Sequence, residues 1–250
     1  MNKFFRHIRE SLLKQNKTGK YFKYAIGEIF LVVLGILIAL QINTWNTDKL
    51  NNERNNLLLI KLSKELDLNI ERIHFLDTIN HAFKGRLIFT DSLLKILNKG
   101  ITTKDLDYMI RQSIYYTTTL NFNSTVFQEL KNTGSLYAIG SDSLIQSIQN
   151  YYQLCDRESF YNLEFGKVTS NRQEKCYEGW YNFKYEYELK PKEAIKNHQW
   201  IFDPKSMHYI YLRQYVDNAN YHSGLINYKL GRIKEETEKL KKLISNEIVY

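Results

Sequence analysis

Apolar and polar positions alternate in two quite different ways along this chain, and the change of pattern divides it. From Ile29 to Leu40 no polar side chain occurs, and the wider stretch Tyr24 to Trp45, YAIGEIFLVVLGILIALQINTW, is apolar on every side. At 1.5 Å per residue those 22 positions reach about 33 Å, enough for a bilayer core of about 30 Å. The pattern predicts a transmembrane helix over residues 24 to 45. A cleaved signal peptide would need a shorter apolar region and a pair of small residues before the cut. Ala39-Leu40-Gln41 lacks the second one, so an uncleaved signal anchor is expected.

Beyond residue 46 the pattern becomes that of seams. Leu59, Leu62, Leu66, Asn69, Ile73, Leu76, Asn80, Phe83 and Leu87 step by three and four, with a second stripe at Leu68, Phe75, Ile79 and Ala82. Such a 3.5-residue repeat predicts a helix lying along others, continuing the anchor and ending at Gly100. Thr102 or Thr103 can cap the next element, and Ser124 or Thr125 can open a short helix that Gly134 closes. A helix opening at Ser141 is expected to run from Leu144 to about Leu189, carrying Ile148, Tyr151, Tyr152 and Cys155. The last seam, Leu212, Val216, Ala219, Ser223, Ile226, Leu230, Ile233, Thr237, Leu240 and Ile244, predicts one helix over about 206 to 247. With 2 prolines and 11 glycines in 250 residues, an all-α chain is expected: an N-terminal transmembrane helix, then an extracytoplasmic antiparallel helical bundle with long coiled-coil-like helices.

Charge adds orientation. Residues 1 to 23 hold seven basic groups and one acid, a net +6 of the total +8, so residues 24 to 250 carry only 28 − 26 = +2. The positive-inside rule places the N-terminus in the cytoplasm and residues 46 to 250 in the periplasm of a bacterial inner membrane. The near-neutral remainder gives no support for nucleic-acid binding. In the tail, Phe4, Phe5 and Ile8 fall on one side and Arg6 and Arg9 largely on another, the pattern of a basic amphipathic helix on the membrane surface, or of a tail whose charges only set orientation. Trp45 marks the opposite interface. A cytoplasmic part of some 23 residues is too short to be an output domain.

Within the span, Glu28 needs a reason, because an ionisable group in hydrocarbon is costly. It either faces a partner helix or sits at headgroup depth. Gly27, Gly35 and Ala39 share one ridge, with Gly35 and Ala39 in the small-xxx-small spacing that lets helices approach. Partners are therefore expected to be membrane lipid and a protein, or a second copy, joined through the span and the bundle.

Signs of catalysis are sparse. Glu71, His74, Asp77 and His81 lie along one face, but Glu-x-x-His occurs once and without the carboxylates a di-iron site takes from other helices. They read as a solvated face. No nucleophile motif or phosphate-cradling loop is present, and neither an enzyme nor a cofactor is expected. Cys155 and Cys176 are 21 residues apart, about 31 Å along one helix. Two free or intermolecular thiols, or a bridge formed by folding back near Gly166, are both open.

The blocks FFRHIRESLL and KYFKYAIGEIFLVVLGILIALQINTWN resemble the start of a family of single-span membrane proteins of Bacteroidetes-type bacteria, known only as a domain of unknown function. TVFQELKNTGSLYAI from Thr125 to Ile139 and the run YIYLRQYVDNA resemble it too. The resemblance implies an inner-membrane location and a helical extracytoplasmic domain, and it brings no catalytic residues. The function expected is a membrane-anchored interaction or scaffold protein within a larger assembly; the alternative is a sensory or ligand-binding domain signalling through a partner.

Overall fold

The computed structural model describes residues 18–78, 82–111 and 119–248, and among them every regular element is helical. The chain divides after Asn56 into two units. The described residues of the first belong to helix α1 (Thr18–Thr78), whose later turns belong to the second. From Ile29 to Arg54 every residue is exposed, and one window near the N-terminus of this helix has a mean hydropathy of 2.5 with none of it buried. It is the one helix among the described residues long and apolar enough to cross a membrane.

The second unit comprises the rest of α1 and helices α2 (Ala82–Lys99), α3 (Leu106–Ile110), α4 (Thr125–Asn132), α5 (Asp142–Glu174), α6 (Asn182–Leu189), α7 (Pro191–Asn197) and α8 (Met207–Glu247). The four-three spacing explains which faces are hidden. Leu59, Leu62, Leu66, Asn69, Ile73 and Leu76 of α1 are all buried, as are all ten seam positions of α8. Of the second stripe, Leu68 and Phe75 are 51% and 47% exposed, since the neighbouring elements cover the Leu58 and Glu65 side of α1 instead; Ile79 and the Ala82 side chain lie outside the described residues. Two apolar cores form. One joins α1, α4, the first half of α5 and Ile226 to Ile244 of α8; the other joins α2, α3, Trp180, Phe183 and Tyr209 to Ala219.

Helix ends follow their local chemistry. Gly100 (φ 97°) and Gly134 (φ 71°) take the left-handed conformation that favours glycine after a helix. Ser141 and Ser206 accept from Leu144 N–H and Tyr209 N–H and so cap α5 and α8. Along the first seam the structure describes α1 to Thr78 and α2 from Ala82; Asn80 and the Phe83 side chain lie outside the described residues. One helix departs from expectation. The 144–189 helix is not continuous: after Glu174 a π-helical turn, Tyr177–Tyr181, separates α5 from α6. Gly179 explains the site of that break. A Cβ there would lie 2.9 Å from His208 Cβ, so its absence lets the start of α8 close on the turn.

The cysteines end up in different cores, Cys155 in the first and Cys176 in the second, and both are free thiols. Burial raises each to about 12, which keeps them protonated and unreactive.

Candidate functional site

On one face of α1, Asn69 and Arg72 hold the irregular segment between Thr119 and Ser124, and Glu65 holds the start of the helix that follows it. Asn69 Nδ2 donates to the Asn123 carbonyl at 3.0 Å while its Oδ1 accepts from Asn123 N–H at 2.7 Å, so one carboxamide satisfies both backbone groups of a residue. Arg72 donates to Asn121 Oδ1 at 2.8 Å and Glu65 accepts from Val126 N–H at 2.6 Å, at the start of α4. The same carboxylate accepts from Tyr152 OH at 2.5 Å. From α5, Ser159 Oγ donates to the Leu120 carbonyl. A stretch with no regular structure is thus fixed on both sides by side chains.

Between the two apolar cores lies a buried polar layer. On α5 the seam Leu144, Ile148, Tyr151, Cys155 continues in steps of three and four, but its next members are Glu158 and Asn162, and it later reaches Thr169. Opposite them α8 buries His222, Ser223 and Lys229. Glu158 pairs with Lys229 at 3.2 Å and with Arg157 at 3.0 Å. Thr169 donates to Asn218 Oδ1 at 2.6 Å, and His222 Nε2 contacts Asn162 Oδ1 at 3.2 Å. The pairings 158 with 229, 162 with 222 and 169 with 218 make α5 and α8 antiparallel neighbours. Burial, then the charges of Lys229 and Arg86, lower His222 to about 4, so the ring is neutral near pH 7 and its Nε2–H donates to Asn162. The Phe165 ring stacks beside it at 6.1 Å.

A cleft of about 830 Å³ opens onto this layer. Asn162 and His222 lie at its base, α5 supplies Phe160 and Leu163, and the held segment supplies Leu120 and Phe122. Phe160 and Leu163 are 59% and 52% exposed. The arrangement offers hydrogen bonds from a fixed base and an apolar wall.

The residues singled out from the sequence lie elsewhere. Trp45 and Ala39 are exposed on α1, Glu28 is half-exposed, and a Cβ at Gly27 or Gly35 would meet nothing within 4 Å. Phe4, Phe5, Arg6, Ile8 and Arg9 lie outside the described residues. Glu71, His74 and Asp77 are exposed along α1, and His81 is outside the described residues. Sequence reasoning missed Glu65, Asn162 and His222. A signal existed for Asn162, because carrying the α5 spacing past Cys155 lands on it.

No family model, curated protein or solved structure matches the chain.

Proposed function

We propose that this is a membrane-anchored helical interaction protein, with residues 24 to 45 spanning a bacterial inner membrane, the N-terminus cytoplasmic and residues 46 to 250 forming a periplasmic antiparallel bundle. It acts as a scaffold subunit of a membrane assembly and carries no catalysis of its own. The observation that carries this reading is the uncovered apolar surface from Ile29 onward, whose exposure to water would be costly and whose burial in lipid relieves it. The resemblance of the N-terminal blocks to a single-span family agrees with it. In this reading Glu28, with Gly27, Gly35 and Ala39, meets a partner helix in the membrane. Affinity purification from the native membrane in mild detergent tests it: Glu28→Leu should insert normally yet lose the proteins that accompany the wild type. Unchanged company would remove Glu28 from that role.

The cleft over Asn162 favours a second reading, in which the periplasmic unit binds a small ligand and passes the occupied state to a partner.

A further inference from the structure

The chemistry of the cleft narrows what could occupy it. Its volume of about 830 Å³ falls in the range of about 300–1,000 Å³ found for small-ligand sites. Among the described lining residues the only acid is Asp156 and the only lysine is Lys167, whose Nζ is paired with Glu164 at 2.6 Å. His222 at the base is neutral near pH 7. Among the described lining side chains one acid stands against one lysine, so the lining itself favours neither an anion nor a cation. A purely apolar molecule is also a poor fit, since it would strip water from Ser170 and Asn171 without replacing those hydrogen bonds.

A neutral molecule bearing both amides and apolar groups fits this lining. The fold already shows how a carboxamide grips a backbone: the Asn69 side chain pairs with the N–H and C=O of Asn123 in an irregular segment of the chain itself. Asn121, Asn162 and Asn171 bring the same group to the cleft. Along α5 the lining runs from Asp156 to Asn171, about four turns or about 22 Å. An extended chain advances about 3.3 Å per residue, so about seven residues cover that distance.

We propose that the cleft binds a short extended peptide of about seven residues with uncharged side chains, its backbone amides meeting Asn162 and Asn171 and its apolar side chains lying on Phe160 and Leu163. This rests on the ligand-binding reading of the periplasmic unit. It leaves the anchoring role untouched.

The test uses the full-length chain in lipid nanodiscs, equilibrated with a random pool of uncharged hexa- to octapeptides; retained peptides are eluted and identified by mass spectrometry. Retention should exceed that of empty nanodiscs by about tenfold or more and fall by about tenfold in Asn162→Leu and in Leu163→Glu. Leu163 is half exposed, so Leu163→Glu should melt like the wild type and separates lost binding from lost folding. Retention no greater than on empty nanodiscs, or retention that survives Leu163→Glu, overturns the proposal. A parallel thermal-shift screen of non-peptide small molecules tells the two failures apart. Stabilisation that Leu163→Glu abolishes, without peptide retention, rejects the peptide and keeps a ligand site; no stabilisation and no retention reject both.

Discussion

Two stretches of α1 have the same backbone conformation and opposite relations to their surroundings. From Ile29 to Arg54 every side chain is exposed, whereas from Leu57 to Thr78 one face is buried and the other is wet. The first stretch is apolar all round or, after Trp45, polar all round. It has no face to choose. The second repeats apolar residues every three or four positions, which is what lets one side of a helix meet other helices. It also spends three positions of its hidden side, Glu65, Asn69 and Arg72, on holding another part of the chain. Helix formation is common to both; what differs is whether the side chains specify a neighbour.

Truncating a core leucine exposes that difference most strongly. Leu66→Ala removes a fully buried side chain and should cost about 2–5 kcal/mol in urea unfolding of the second unit. Leu37→Ala, the same change in the exposed stretch, should leave that unfolding within about 0.5 kcal/mol of wild type. Equal losses would break the comparison. Asn69→Ala comes next: it strips partners from the Asn123 N–H and C=O, at about 1–3 kcal/mol. Hydrogen exchange at the Asn123 amide should quicken with it, and an amide as slow as before would show that Asn69 is not what protects it. Smallest is Lys61→Ala on the wet side of the same helix. Its contact with Glu129 is long at 3.5 Å and both side chains are well exposed, so the change should stay within about 0.5 kcal/mol by the same unfolding measurement.

Much of the helical layout was legible because a periodic seam reports its own burial. The ten positions read from α8 are all hidden, and Gly134 closes α4 as its position implied. The polar layer was not legible for the complementary reason. Glu158, Asn162, His222 and Lys229 have the composition of a surface, and only their partners across the α5 and α8 contact make them buried. Leu68 and Phe75 failed the other way, being apolar by type yet exposed. The interruption at Tyr177–Tyr181 depended on Gly179 meeting His208, some 29 residues later. No spacing within one helix could announce it. The cleft was hidden likewise, since it needs the Thr119–Phe122 segment laid beside α5.

The forty-one residues of α8 have a thermodynamic consequence. Its first half, from Tyr209 to Ala219, completes one core, and its second, from Ile226 to Ile244, completes the other. Neither core can melt while leaving α8 whole, and an α8 that frays at one end withdraws support from the other. The second unit should therefore behave as one cooperative block, with no seam along which it comes apart in halves.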